Sequence, residues 1–540
     1  MRLLRPLPRP ASRLLSALVL VAWALQMGAL VHRTAASAPV ALAADLAHYG
    51  SSAQWRGIYY RGDKIGFSVG QTTPTDSGYE IREDSRMVLI LLGSDIPVRL
   101  SSRAVVDRAF NLRAFSFSLD PGTGPTEVEG YLDGVRLALT VRTPSGMRRE
   151  TRVLAEPPAL ALNLGRALAA RGLETGQTLQ VSVFDPATLR NAPMTLEVQA
   201  REVVRAAGRP VPAFRVEGRL SGITMRTWIT DVGEVVREES PTVLLVVRET
   251  QEQAQALAVP SAVRTDLLEA AAIVPKAPRR IDDPTTVARL RLRIDALEGL
   301  DPADLVGSGQ SEAAGTIEVV DPRDLRPGPV PRDLDRHLGP ETLVESDAPE
   351  IRAEADKAAA GAETPRLRAE RLVRHVNAIL RKKPTVSLPS ALEVLKTRIG
   401  DCNEHAALFV AMARSVGLPA RVAVGLVHLR GAFYYHAWAE VWVGEGHGSG
   451  LWLPVDPTLN QFPADATHVR LARGGLDRQA AILGLVGRAK IEILDVELRP
   501  GANPVLVGRA ANDLRPLDLP LPQRDGSGRG CWSSPRRSGR

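Results

Sequence analysis

The sequence predicts an α+β protein whose chemistry lies towards its C-terminal end. Three observations carry this expectation. Residues 55–247 read as alternating or β-branched runs punctuated by turn pairs, residues 348–416 carry helical periodicity, and residues 433–456 return to strand around a glycine-rich loop. A chain of 540 residues exceeds one core, so two to four domains are expected. Hydrophobic content of 44% and charged content of 24% are globular values, which sets aside a disordered or fibrous chain.

The N-terminus, 1–44, reads as a signal or membrane anchor. Leu14 to Val31 is uncharged and spans about 27 Å as a helix, near the thickness of a hydrocarbon core. Arg2, Arg5, Arg9 and Arg13 precede it, so the N-terminus is expected to stay cytoplasmic and the body to be extracytoplasmic, in the periplasm. The length of the run favours a retained anchor, whereas Ala36-Ser-Ala38 and Ala41-Leu-Ala43 offer signal-peptidase sites that would release a secreted body. The net charge of +7 owes much to arginines at the two ends. That distribution argues for topology and a tail, and against a nucleic-acid groove.

Residues 45–255 are expected to form an antiparallel β-rich domain that curls into an open barrel or sandwich. Asp133-Gly134 is a type I′ hairpin signal and Asp231-Val-Gly233 marks another hairpin. One helix, over Ala159–Arg171, is expected to cross this sheet. Residues 256–347 read as a linker and small β-rich module, with strands at Leu290–Ile294 and Thr316–Val320. Helices follow over 348–360 and 366–381. Ser390-Ala-Leu-Glu393 is a capping box that opens a helix ending at Gly400. The segment from 348 to 508 is expected to be one catalytic domain, closing with a strand over Ala489–Leu494, and 509–540 a disordered tail.

Within that domain Cys402, His436 and Asp456 attract attention. An exported protein with only two cysteines, one of them Cys531 in the tail, is expected to keep Cys402 as a free thiol. The apolar residues of 403–416 predict a buried helix stopped by Gly417, placing Cys402 at its first turn. There the unpaired N–H groups and the dipole favour a thiolate and can face a developing oxyanion. Pairing Val443 with Leu451 across the loop 444–450 puts His436, Trp438, Glu440, Trp442, Trp452 and Asp456 on one face. His436 and Asp456 become diagonal neighbours, roughly 7–8 Å apart between α-carbons. Asp456 is then placed to orient His436, and His436 to take the proton of Cys402.

The same residue types could instead bind zinc through Cys402, His405, His436 and Asp456. No Cys-x-x-Cys or His-Glu-x-x-His spacing supports this, and a ligating thiolate would consume the nucleophile, so no metal or other cofactor is expected.

The motifs Gly400-Asp-Cys-Asn-Glu-His405, Ala413-Arg-Ser-Val-Gly-Leu-Pro-Ala-Arg421, His436-Ala-Trp-Ala-Glu440 and Trp452-Leu-Pro-Val-Asp-Pro-Thr458 resemble the transglutaminase-like superfamily, the papain-related cysteine fold, in its bacterial exported form. The resemblance covers about 390–470. It implies a buried cysteine helix against a small antiparallel sheet, with Cys402 as nucleophile, His436 as base and acid, and Asp456 as orienter. It also implies acyl transfer or amide hydrolysis through a thioester on a protein or peptide substrate of the cell envelope. Cross-linking members place aromatic residues beside the cysteine, whereas Asn403, Glu404 and His405 follow it here, which leaves amidase or peptidase chemistry open. Trp438 is a candidate wall of the substrate cleft. Glu404, Glu440 and Asp465-Ala-Thr-His468 are assigned structural roles. The alternative from another class is a catalytically silent envelope scaffold that binds a partner through its β-rich domain.

Overall fold

The structure, a computed structural model, describes residues 49–500 apart from 257–271 and shorter breaks, the longest run of them between 476 and 487. The expected N-terminal segment, the C-terminal tail and Cys531 lie outside the described residues. Among the described residues no helix is long and apolar enough to cross a membrane. The architecture is α+β, with a β-rich N-terminal part and a C-terminal part of helices packed on a small sheet.

The N-terminal part is one antiparallel sheet of fourteen strands from Gln54–Tyr60 to Leu244–Glu249, among the described residues. Its strands neighbour one another in chain order, and the first pairs with the last, Ile58 opposite Val246. The sheet's free edges are therefore two strands from mid-sequence, Gly146–Val153 and Thr178–Asp185. The helix between them, Ala161–Ala170, covers the inner face, with Leu168 packed among Val181, Val183 and Leu196. Phe184 of the edge strand Thr178–Asp185 meets Phe115 of Leu112–Asp120, the rings tilted with centroids 5.4 Å apart. The hairpin signal at Asp133-Gly134 is shifted by one residue: Asp133 pairs with Arg136, so Gly134 and Val135 form the loop. Gly134 alone takes a positive φ, 60°, which is the II′ arrangement and not I′.

In the C-terminal part, helices Pro349–Ala359, Pro365–Ile379, Ala391–Thr397 and Cys402–Ser415 surround a five-stranded sheet. Its order is Gly328–Pro329, Ser449–Val455, Ala432–Gly446, Ala420–Leu429 and His468–Arg473. The third helix starts at the expected cap, the Ser390 hydroxyl accepting from the Glu393 N–H at 3.3 Å. It stops earlier than expected, because Arg398 adopts the left-handed conformation, φ 53°. Gly400 instead lies in a two-residue strand, Ile399–Gly400, beside Arg381–Lys382.

The boundary expected at 347/348 does not separate two cores. Val287–Ile294 pairs with Ile491–Leu498 on one side and Thr316–Val320 on the other. Leu290, Leu292 and Ile317 belong to the same apolar cluster as Leu372, Leu408 and Val424. The linking module and the cysteine helix thus share one interior. The N-terminal sheet meets this unit along its free edge, where Arg148 pairs with Asp347 at 3.1 Å and Lys396 donates to the Ser145 carbonyl at 2.8 Å.

Candidate active site

The Cys402–Ser415 helix is nearly all buried from Glu404 to Arg414, as its small and apolar sequence requires. Its start is fixed twice. The Asp401 carboxylate accepts from the Asn403 N–H at 2.9 Å, and the Glu404 carboxylate accepts from the Asp401 N–H at 2.8 Å. This reciprocal pair satisfies donors that a helix N-terminus otherwise leaves open. Cys402 is the first helical residue, partly buried and free. Its thiol faces the N–H of Ala437, one residue from His436.

The thiol is not the resting thiolate that the helix N-terminus predicts. Burial pushes its pKa well above the ordinary value, the Asp401 charge adds to this, and the Ala437 N–H offsets only part. Asp401 is itself pushed up, first by burial and then by Glu404. The capping carboxylates that order the helix oppose its dipole at the one atom where the dipole would activate sulphur.

The strand register agrees with the sequence expectation: Val443 opposes Leu451 and Trp442 opposes Trp452. Alternation then turns Ala437, Ala439 and Val441 into the core shared with the cysteine helix, and turns His436, Trp438 and Glu440 to the other face. His436 Nε2 lies 2.7 Å from Asp456 Oδ2. His436 is 6% exposed and Asp456 is fully buried. The described hydrogen bonds of His436 run to Asp456, and none joins it to Cys402. With Nε2 engaged, Nδ1 is the ring nitrogen left for a thiol.

Asp456 is held from every side. Its Oδ1 accepts from the N–H groups of Thr458 at 2.7 Å and Leu459 at 2.9 Å. The loop after it is pinned by Asn377, which donates to the carbonyls of Pro457 at 2.9 Å and Thr458 at 3.0 Å. Burial would raise the Asp456 pKa, but the charge and hydrogen bond of His436, with the bond from His468, hold it well below the carboxylate range. His468 was expected to be structural only, yet it shares this carboxylate. Its Nε2 is 3.1 Å from Asp456 Oδ2, and its Nδ1 is 3.2 Å from the Asp465 carbonyl and 3.3 Å from Asp465 Oδ1. The sequence cue was the spacing Asp465-x-x-His468 placed shortly after Asp456. What it lacked was the position of the edge strand His468–Arg473, two strands from His436.

Trp438, expected as a cleft wall, is 1% exposed and lies beneath the histidines. Its ring stacks on His436 at 6.2 Å and meets His468 edge-on at 5.2 Å. It therefore packs the imidazoles from inside and offers no face to a substrate. Glu440 is a buried ion-pair hub: Arg421 approaches at 2.7 Å and Arg473 at 3.1 Å, and Arg470 bonds its other oxygen. Burial opposes its charge, but Arg470, Arg473 and Arg421 outweigh that and hold its pKa well below the usual range. Gly425 stands opposite His436 in the middle strand, and a β-carbon there would lie 2.0 Å from the Val469 carbonyl.

Among the described residues, His436, Asp456 and His468 place ligand-type atoms within 4.8 Å of one another. This is not the zinc set that the sequence offered, since Cys402 and His405 are outside it. Both nitrogens of His468 face oxygen acceptors, so both carry protons and neither has a lone pair for a metal. A cavity of about 620 Å³ lies between the two parts of the chain, lined by Glu150, Arg152 and Asn191 from the sheet and Thr342, Asn403 and Ala407 from the C-terminal unit. Asn403 brings it next to the nucleophile candidate.

Comparison with known proteins finds likeness over part of the chain. Residues 352–457 match the transglutaminase-like superfamily. Uncharacterized proteins of Mycobacterium tuberculosis and Mycobacterium bovis are 34% identical over 91 residues, 15% of this chain and 29% of theirs. The chain thus spans under a third of the length of these curated relatives. A candidate cysteine protease from Cytophaga hutchinsonii is similar at 22% identity over 34% of this chain and 67% of that one, with a TM-score of 0.26. A candidate protease from Parabacteroides distasonis has 13% identity over 64% of each chain and a TM-score of 0.19. The likeness to the transglutaminase-like superfamily thus covers residues 352–457, within the C-terminal unit.

Proposed function

We propose that the unit carrying residues 348–508 is a thiol-dependent acyltransferase or hydrolase acting on amide bonds of a protein or peptide, held outside the cytoplasm by the N-terminal segment. The observation that carries this reading is the buried His436–Asp456 pair at 2.7 Å, with Nδ1 of His436 uncommitted and its neighbour Ala437 facing the thiol of Cys402. Cys402 would give its proton to His436 Nδ1 as sulphur attacks the amide carbon. The carbon–nitrogen bond then breaks, His436 returns the proton to the departing amine, and a thioester remains. Water or a second amine, deprotonated by the same imidazole, attacks the thioester and regenerates the thiol. Asp456 holds the ring and balances its charge. The backbone N–H groups at the helix start are the candidate oxyanion donors. The cavity beside Asn403 is the candidate approach for substrate.

The test is capture of the acyl-enzyme. The intact protein is incubated with envelope extract or with glutamine-donor and peptide libraries, and adducts on Cys402 are identified by mass spectrometry. The wild type should form a thioester that Cys402→Ala and His436→Ala lose while remaining folded. The silent-scaffold reading draws on the upward push on the thiol, and it prevails if partner capture survives Cys402→Ala and no adduct forms under any donor.

A further inference from the structure

His468 has a place in the site that the Cys–His–Asp reading leaves unused. Asp456 Oδ2 receives two imidazoles, His436 at 2.7 Å and His468 at 3.1 Å. The two rings lie 5.8 Å apart between centroids. His468 is buried, and each of its nitrogens faces oxygen: Asp456 on one side, the carbonyl and carboxylate of Asp465 on the other. Asp465 is fixed in turn, since its Oδ1 accepts from the Thr467 N–H at 2.9 Å and its Oδ2 from Gln461 at 2.8 Å. The charged or titratable groups facing His468 are therefore Asp456, Asp465 and His436. Trp438 closes another side, and Arg470, two residues on, turns away to Glu440.

We propose that His468 is a positioning residue that stays doubly protonated on the shared carboxylate and so keeps His436 neutral, ready to accept the thiol proton. A lone buried aspartate beside a histidine stabilises the imidazolium and can leave the base already protonated. A second, fixed cation on the same oxygen takes up part of that negative charge. Asp456 then still orients His436 but holds its proton less tightly. Burial would lower the His468 pKa, but Asp465 and the bond to Asp456 raise it to about 10, so the cation persists across the working range of a thiol enzyme. This inference rests on the reading of His436 as the base for Cys402.

The experiment is an imidazole NMR titration of the intact protein, with His436 assigned by its loss in His436→Gln. In His468→Gln the amide can still donate to Asp456 while the charge is gone. The His436 midpoint should then rise by about one to two units, and the acid limb of acyl-adduct formation should move with it. A His436 midpoint unchanged in folded His468→Gln overturns the proposal, because a purely structural residue would alter stability but not this midpoint. Should that variant fail to fold, Asp465→Asn should let His468 release its second proton at lower pH than in the wild type, with a rise in the His436 midpoint. A His468 that titrates there without any response from His436 also overturns it. The underlying reading fails separately, if His436→Ala leaves adduct formation on Cys402 intact.

Discussion

Glu404 packs on the bare α-carbon of Gly400 so tightly that a β-carbon at position 400 would lie 2.2 Å from the Glu404 Cβ. The same Glu404 closes the cap on Asp401, so this contact fixes where the cysteine helix begins. Gly400→Ala should push Glu404 aside and unmake the cap, at a cost of about 1–3 kcal/mol. Urea denaturation measures the loss, and adduct formation on Cys402 should fall with it. A variant of wild-type stability with an undisturbed thiol would contradict the role given to Gly400.

The alkylation profile of Cys402 follows from the groups around it. With burial and Asp401 pushing the thiol up, iodoacetamide should react slowly at pH 7 and faster as pH rises beyond about 8.5, the ordinary thiol value. Rapid alkylation that is flat from pH 6 to 8 would mean a standing thiolate–imidazolium pair, and the resting site would have to be redrawn.

On the proposed scheme, removing Cys402, His436 and Asp456 should not give equal losses. Cys402→Ala or His436→Ala should abolish turnover, because the proposed nucleophile and base would act together. Asp456→Asn should retain a residual rate, lower by about 10⁴-fold. Combining His436→Ala with Asp456→Ala should add nothing to the first change alone. Chelators should leave the rate unchanged, and loss of activity with phenanthroline restored by zinc would overturn the scheme.

Stability should depend on pH through His468. Its folded pKa, about 10, stands above the ordinary histidine value, so the folded state binds this proton more tightly than the unfolded chain. The resulting stabilisation is fully present below about pH 6.5, and it declines as pH rises towards 10. Urea midpoints of the wild type should therefore fall over this interval, and those of His468→Gln should fall less steeply.

Glu440→Gln should be among the most damaging substitutions outside the site. It leaves Arg470, buried and bonded to the same carboxylate as Arg421 and Arg473, without its counter-charge. The expected cost is about 3–5 kcal/mol, read as a lowered denaturation midpoint. A change below about 0.5 kcal/mol, the range of ordinary surface substitutions, would show that the arginines find other partners.

What the sequence made legible follows from local rules. The glycine-rich loop and the alternation on either side of it fixed the register that unites His436 with Asp456. The apolar run after Cys402 fixed its helix, and Ser390 fixed a helix start. Three features escaped because they depend on elements distant in sequence. The state of the Cys402 thiol is set by burial and by carboxylates, against the dipole that the sequence suggests. Trp438 is covered by His436 and His468, from two separate strands. His468 reaches Asp456 only because the strand His468–Arg473 pairs with Ala420–Leu429 and not with its chain neighbours. The end of the third helix was misplaced for a smaller reason: Arg398, and not a glycine, takes the left-handed turn.

The pairing of Val287–Ile294 with Ile491–Leu498 has a temporal meaning. It closes a loop of roughly 200 residues, and pairings of such span form late because their closure entropy must be met first. Cys402, His436 and Asp456 all lie inside that loop. During synthesis the cysteine emerges well before the strand that seals the interior behind its helix, so a growing chain carries the thiol without its finished surroundings. Assembly of the candidate site is thereby deferred until nearly the whole polypeptide is available to fold.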